Sequence, residues 1–344
     1  MIKQGVSFYS YQTEYAAGRM SLEDMIAEVH DLGCDGIELV PTQTPPSSYP
    51  AATEEEIDRW FSLMDKYGTR PVCLDSIIVC DDFYSNLFKK RQDPAMLRVV
   101  YENASLEKQE ELFRQELELC HQLGFPIIRI PKLYGVQMPV FEKLLPLAES
   151  YGITLGLEIH VPMRTDGPEV EEYLEFIDRT GTPFAGLIPD MAIFATKLPR
   201  RLVRQALTVG ADPDFIALIE KTYEEKGDLM ALKEEALSKG HADEGTTQVL
   251  TYAIRNVTSR VEDLRRILPY VKHFHAKFYD CNQDYVEEGI RFDEVIPILM
   301  EAGYDGYLNS EYEGQKLYGQ ENCFDEVEQV RRQHIMVSRL LNAQ

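Results

Sequence analysis

Positive charge is scarce in this sequence. The chain has 35 basic and 58 acidic residues, which gives a formal net charge of −23. Such a surface repels the phosphates of nucleic acids and anionic lipids, so we expect neither nucleic acid nor membrane as a partner. No apolar run reaches the roughly 18 residues of a membrane-spanning helix, and the first residues lack the pattern of a signal peptide. We therefore expect a cytoplasmic protein that acts on a small molecule.

Closely spaced cysteines are also absent. The six cysteines are scattered along the chain without a CxxC pair. This argues against a zinc knuckle or a disulfide frame, so we expect reduced, mostly buried thiols, with a single catalytic thiol as the less favoured alternative. Hydrophobic residues nevertheless make up 44% of the 344 residues, which is enough for a large folded core.

Short β-rich runs alternate with amphipathic helical stretches, as is typical of parallel strands joined by helices. Thr53 with Glu56 forms a capping box at a helix start, and Ser21 with Asp24 is a variant of it. The alternation yields eight strand–helix units, the number that closes a (β/α)8 TIM barrel. The predicted strands span residues 5–10, 36–40, 70–78, 126–131, 153–160, 183–190, 270–278 and 305–311.

Two long stretches interrupt this alternation. About 80 residues separate the sixth and seventh predicted strands, far more than an ordinary connection. We expect 197–260 to be a helical insertion on a single barrel domain that spans 1–344, and not a second domain with its own sheet. Residues 79–104 show no clear period and are predicted to form a long loop with a short helix.

Polar residues end the fifth and sixth predicted strands. In such barrels the active site lies at the C-terminal ends of the strands, and side chains alternate between the two faces of a strand. Glu158 and His160 share one face of strand five, whereas Leu155, Leu157 and Ile159 share the apolar one. Asp190 ends strand six. We therefore expect these three polar side chains in the barrel mouth.

The seventh and eighth strands add to this set. On strand seven His273, His275 and Lys277 have one parity, and apolar residues have the other. On strand eight Asn309 and Glu311 face inward by the same rule. Four adjacent strands thus deliver carboxylates, imidazoles and an ammonium to one mouth.

Carboxylates crowded this closely need a counter-charge, which a divalent cation supplies. The predicted ligands are Glu158, Asp190, His275 and Glu311. Three oxygen donors with one imidazole suit Mn²⁺, our first choice, or Mg²⁺, with Co²⁺, Fe²⁺ or Zn²⁺ as alternatives.

Several of these residues also have simpler structural interpretations. Asp190 could be a helix N-cap, and His273 and His275 could be hydrogen-bonded core histidines. Glu38, at the end of strand two, could pair with Arg129 inside the barrel. Because four consecutive strands each end in a metal-type ligand, the joint pattern favours the metal site.

With these motifs the sequence resembles the xylose-isomerase-like barrel family, which includes sugar-phosphate isomerases and epimerases. The resemblance covers most of the chain and depends on GVSFYS, LGCDGIELV, GITLGLEIH, HFHAKF and GYDGYLNSEYEG. It implies the same four metal ligands. Many members carry a histidine three residues after the strand-six aspartate, where this chain has Ile193. The endonuclease branch needs further histidines, so a role in DNA repair is disfavoured.

A narrower resemblance concerns the long insertion, the Glu-x-His at 158–160 and the EYEGQ at 311–315. These are similar to the larger subunit of bacterial C-glycoside deglycosidases. This implies a metal-dependent lyase that cleaves a sugar–aglycone carbon bond after oxidation at C3, together with a small β-rich partner subunit. We also expect an oligomer.

The implied mechanism begins with removal of the C2 proton. His160 is the candidate base, because its neutral form is available near pH 7 and it lies two residues from a predicted ligand. Lys277 or His273 would orient or protonate an oxygen. One alternative is an isomerase or epimerase in which Glu158 and Glu311 are both ligands and bases. A non-catalytic sugar-binding barrel is the other.

Overall fold

Eight parallel strands surround the centre of the molecule in a computed structural model that describes residues 1–40, 49–80, 100–101, 103–131, 135–314 and 325–343. Their order is β6-β5-β4-β3-β2-β1-β8-β7. Bridges from Leu187 to Val271 and from Asp190 to His275 join β6 to β7, which leaves a nearly closed barrel, as predicted. The strands are β1 (Lys3–Ser7), β2 (Gly36–Leu39), β3 (Arg70–Asp75), β4 (Ile127–Pro131), β5 (Thr154–Ile159), β6 (Ala185–Pro189), β7 (Phe274–Phe278) and β8 (Tyr307–Tyr312).

Helices alternate with these strands. In chain order they are α1 (Gln12–Ala16), α2 (Leu22–Asp31), α3 (Glu54–Tyr67), α4 (Leu106–Gln122), α5 (Met138–Tyr151), α6 (Pro168–Thr180), α7 (Arg200–Thr208), α8 (Pro213–Glu224), α9 (Leu229–Lys239), α10 (Glu244–Arg255), α11 (Leu264–Ile267), α12 (Phe292–Glu301) and α13 (Glu326–Asn342). Short 3₁₀ turns span Phe8–Tyr11, Met191–Phe194, Val261–Asp263 and Leu268–Tyr270.

The two predicted capping boxes are confirmed. The Asp24 carboxylate accepts from the Ser21 amide at 2.8 Å, and the Ser21 hydroxyl accepts from the Asp24 amide at 3.2 Å. Thr53 and Glu56 make the same reciprocal pair. These bonds use amide groups that would otherwise have no partner at a helix start, so local sequence determines where α2 and α3 begin.

Alternation along the strands separates the apolar outer layer from the polar interior. On β5, Leu155, Leu157 and Ile159 are fully buried in the main hydrophobic core between sheet and helices. Glu158 therefore points into the barrel, as the parity of the sequence predicts. The interior is narrow, because a Cβ added at Gly5 would lie 2.2 Å from Oδ1 of Asn309.

The connection between β6 and β7 is the predicted helical insertion. Helices α7 to α10 enclose their own apolar cluster, which includes Leu202, Ile219 and Val249. Arg201 donates to the Tyr312 hydroxyl at 2.6 Å and lies 3.2 Å from Asp280. The insertion therefore packs beside the C-terminal ends of β7 and β8, next to the mouth of the barrel.

Some predicted boundaries differ from the observed ones. β1 ends at Ser7 because Phe8–Tyr11 turns into a 3₁₀ helix, and β7 begins at Phe274 because Leu268–Tyr270 forms another. Most of the predicted loop at 79–104, and Gln315 and Cys323, lie outside the described residues. The five described cysteines are free thiols. Within the described ranges no helix has the length and apolarity needed to cross a membrane.

Candidate active site

Side chains from four adjacent strand ends meet at the C-terminal end of the barrel. Glu158, Asp190, His275 and Glu311 are all buried, and their potential ligand atoms lie within 4.8 Å of one another. Nδ1 of His275 is 3.0 Å from Oε1 of Glu158 and 3.3 Å from Oε2 of Glu311. The structure thus brings together the four predicted ligands, whose role as ligands stays a prediction. We call these four residues the metal cluster.

The metal cluster fits a hard divalent cation. Three carboxylates and one imidazole form a donor set that suits Mn²⁺ or Mg²⁺. Oε2 of Glu311 is buried and has no hydrogen-bond partner among the described residues, which is unusual for such an atom unless it faces an ion or water. Burial raises the pKa of Glu158, but Arg129 and His275 outweigh it and lower this pKa well below its usual value. Glu158 is therefore an ionised donor.

Asp190 has two contacts that hold its carboxylate in place. Oδ1 accepts from the amide of Ala192 at 2.7 Å, so Asp190 is the N-cap of the turn Met191–Phe194. Oδ2 accepts from Nζ of Lys277 at 2.7 Å. The helix-cap interpretation is therefore confirmed, and it is compatible with a ligand role because it leaves Oδ2 inside the barrel.

Lys277 is a buried ammonium among carboxylates. Besides Asp190, its Nζ lies 3.2 Å from Oε2 of Glu313 and 3.7 Å from Oε2 of Glu311. Burial lowers the pKa of Lys277, but the neighbouring carboxylates outweigh it and raise this pKa well above its usual value. The side chain is therefore a fixed positive charge and a hydrogen-bond donor.

His160 lies at the accessible edge of the metal cluster. Its Nδ1 is 2.7 Å from the carbonyl oxygen of Val161, and since a carbonyl only accepts, Nδ1 carries the proton. The lone pair is then on Nε2, which accepts from Nζ of Lys277 at 3.0 Å. The His160 side chain is 33% exposed, whereas Asp190, 3.6 Å away, is fully buried. The His160 side chain thus reaches the mouth of the barrel, and its role as a base stays a prediction.

His273 faces another partner. Its Nε2 lies 2.7 Å from Oε2 of Glu38, and both side chains are fully buried. This is the hydrogen bond that the core-histidine interpretation expects, and a catalytic role for His273 stays a prediction. Arg129 instead donates to Asp75 at 3.0 Å and lies 3.7 Å from Glu158. The pairing of Glu38 with Arg129 stays a prediction.

Two residues of the site were not predicted. Glu313 accepts from the Tyr9 hydroxyl at 2.9 Å and also contacts Lys277. It has the parity of Glu311, so the same rule would have found it had strand eight been extended by two residues. Asp75 ends β3, where a strand-terminal carboxylate is itself a signal.

Known proteins resemble this chain along most of its length. The 3′-dehydrocarminate deglycosidase alpha subunit of a Microbacterium species is 25% identical over 98% of this chain and 94% of that protein. The C-glycoside deglycosidase alpha subunit of Arthrobacter globiformis is 26% identical over 99% of this chain and 92% of that protein.

Solved structures share the fold. A D-allulose 3-epimerase from Methylomonas superposes with a TM-score of 0.53 at 14% identity, with 98% of each chain covered. A sugar phosphate isomerase/epimerase from Parabacteroides distasonis gives 0.55 at 11% identity, over 99% of this chain and 98% of that one. The xylose isomerase-like TIM-barrel family matches residues 26–212. Because this match covers more than half of the chain, the chain belongs to that family.

Proposed function

We propose that this enzyme is a divalent-metal-dependent lyase that cleaves the C-glycosidic bond of a 3-oxo-C-glycoside. The observation that carries the proposal is the buried metal cluster with His160 and Lys277 beside it. The deglycosidase names of two relatives that align over nearly the whole chain support the substrate class. Mn²⁺ is the proposed metal, because three carboxylates and one imidazole suit it.

The metal cluster would hold the cation through Glu158, Asp190, His275 and Glu311. Once bound there, a divalent cation supplies Lewis-acid stabilisation of negative charge that develops on the substrate. The protein contributes a set of donors from four strands of one rigid barrel, and burial keeps competing water away from them.

His160 is the proposed base. Its Nε2 takes the proton from C2 of the sugar, while the bond from Nδ1 to the Val161 carbonyl keeps the ring in the tautomer with the lone pair on Nε2. The C1–C2 double bond forms as the bond from C1 to the aglycone breaks. The electron pair leaves on the aglycone carbon, which gains a proton, so the reaction needs no oxidant or reductant. Lys277 orients or protonates an oxygen from its fixed position.

We also propose that a second, smaller subunit takes part. The relatives are named alpha subunits, which implies a partner chain for them. For this chain we expect a small β-rich protein encoded beside it.

The test is aglycone release from a 3-oxo-C-glucoside, followed by chromatography, with and without that small subunit. We expect about one divalent ion per chain and a loss of activity on chelation.

His160→Gln should lower kcat by roughly 10²- to 10⁴-fold with metal content unchanged. His30→Gln is the matched control, because Nδ1 of the exposed His30 also bonds a backbone carbonyl, that of Tyr67 at 2.8 Å. A metal-free protein that chelators do not inhibit, or a fully active His160→Gln, would contradict the proposal.

Sugar epimerisation or isomerisation is the second candidate. It is favoured by the two glutamates of the metal cluster, Glu158 and Glu311, which come from different strands and both lie within 3.3 Å of the same nitrogen of His275. Two such carboxylates could exchange a proton with a ketose. This candidate predicts that the chain alone exchanges an α-proton of a free ketose with deuterated water. The lyase proposal predicts no such exchange.

A further inference from the structure

A second layer of polar side chains lies behind the metal cluster. It consists of Glu38, Cys73, Asp75 and His273, all with 0% exposure. Oε1 of Glu38, Oδ2 of Asp75 and Nδ1 of His273 have no hydrogen-bond partner among the described residues. Since buried polar groups are rarely left unpaired without a reason, this layer needs a physical explanation.

The imidazole of His275 connects the two layers. Its Nδ1 faces Glu158 and Glu311, whereas Nε2 lies 3.2 Å from Oε2 of Glu38 and 3.7 Å from Oδ1 of Asp75. If a cation occupies the metal cluster, Nδ1 must offer its lone pair, so the ring proton is on Nε2. The nearest acceptor for that proton is Glu38.

Glu38 is itself held in place. His273 lies with Nε2 2.7 Å from the same oxygen, Oε2, and its ring is nearly perpendicular to that of His275, at 83°. Asp75 is less available, because Oδ1 already accepts from Arg129 at 3.0 Å. Nε2 of His275 makes no hydrogen bond among the described residues, so Glu38, fixed by His273 and 3.2 Å away, is the acceptor within reach of its proton.

We infer that Glu38 is a positioning residue that orients His275 with Nδ1 toward the metal cluster and thereby strengthens cation binding. The inference rests on the proposed metal site. A carboxylate that accepts the second ring proton of a ligating histidine fixes the tautomer and raises the basicity of the ligand nitrogen. Loss of such a partner typically weakens metal affinity by about 10- to 100-fold.

The test is the dissociation constant for Mn²⁺, measured from the electron paramagnetic resonance signal of the free ion. We expect Glu38→Gln to bind roughly 10- to 100-fold more weakly than wild type. Glu326→Gln is the matched control, because Glu326 is a carboxylate with 1% exposure that accepts from the backbone of Glu14 at 3.2 Å. It should bind Mn²⁺ as wild type does.

A second variant covers the case in which Glu38→Gln does not fold. His273→Phe leaves the Glu38 carboxylate present but without its holding bond, and should also weaken Mn²⁺ binding. With Zn²⁺ bound to wild type, nitrogen NMR should place the proton of His275 on Nε2. Wild-type affinity in the folded variants, or a proton on Nδ1, would overturn the inference.

The stoichiometry and the affinity together separate three outcomes. Glu38, Cys73 and His273 could together hold a second cation. Two ions per wild-type chain and one in Glu38→Gln would overturn the positioning role in favour of such a site. If wild type binds no ion, the proposed function fails. If wild type binds one ion and Glu38→Gln binds it equally well, only the positioning role fails.

Discussion

Replacing Lys277 by methionine tests the charge balance of the site. Lys277 is 2% exposed, and its Nζ lies 2.7 Å from Asp190, 3.2 Å from Glu313 and 3.7 Å from Glu311. Methionine keeps most of the volume and removes the charge. The three carboxylates would then lose the ammonium that they share, so the metal-free protein should become less stable.

The distances give the magnitude of this loss. At an effective dielectric constant of about 20, one pair of charges at the 2.7 Å of Lys277 and Asp190 attracts by roughly 6 kcal/mol before the desolvation of both groups is subtracted. Removing one partner of a buried pair typically destabilises a protein by about 3–5 kcal/mol, because the other charge stays buried. We therefore expect a loss of about 3–5 kcal/mol for Lys277→Met.

The assay is urea unfolding of the metal-free proteins at pH 7.5, followed by circular dichroism. Lys66→Met is the control, since Lys66 pairs with Glu23 at 2.6 Å but is 56% exposed, and an exposed pair adds little stability. Saturating Mn²⁺ should stabilise Lys277→Met more than wild type, because the cation replaces the missing positive charge. A metal-free Lys277→Met as stable as wild type would refute the reasoning.

Two further predictions concern stability away from the metal cluster. Burial lowers the pKa of His334 from 6.5 to about 4. Between these values the unfolded chain binds the proton and the folded chain does not, so the stability present above about pH 6.5 is lost as the pH falls toward 4. Wild type should lose about 1.3 kcal/mol more than His334→Gln between pH 7.5 and 5.5 in urea unfolding, and equal losses would count against this. Gly5→Ala should destabilise by about 1–3 kcal/mol in the same assay, because its Cβ would lie 2.2 Å from Asn309 and 2.6 Å from the carbonyl of Gly36. Unchanged stability would show that the barrel interior accommodates a methyl group.

The fold and the metal cluster could be predicted because both follow from local periodicity. Alternation gave the strands, and parity placed Glu158 and Glu311 on the inner face. Parity indicates which face of a strand a side chain lies on, but not how far it lies from the mouth of the barrel. The catalytic assignment of His273 depends on that distance. Residues two apart on a strand share a face but lie about 6.6 Å apart along the strand. A carboxylate on β2, Glu38, meets His273 at that depth, and no pattern within β7 indicates this long-range contact.

β7 and the residue just before it, His273, therefore span three successive levels of the barrel interior. At the lowest level His273 bonds Glu38, at the middle level His275 joins that pair to the metal cluster, and at the top Lys277 meets His160. Because each level acts on the next through direct contact, substitutions should differ in which constant they change. A change at the lowest level should weaken cation affinity and leave kcat of the saturated enzyme largely intact. A change at the top should lower kcat while the ion stays bound, because in the proposed mechanism His160 and Lys277 act on the substrate.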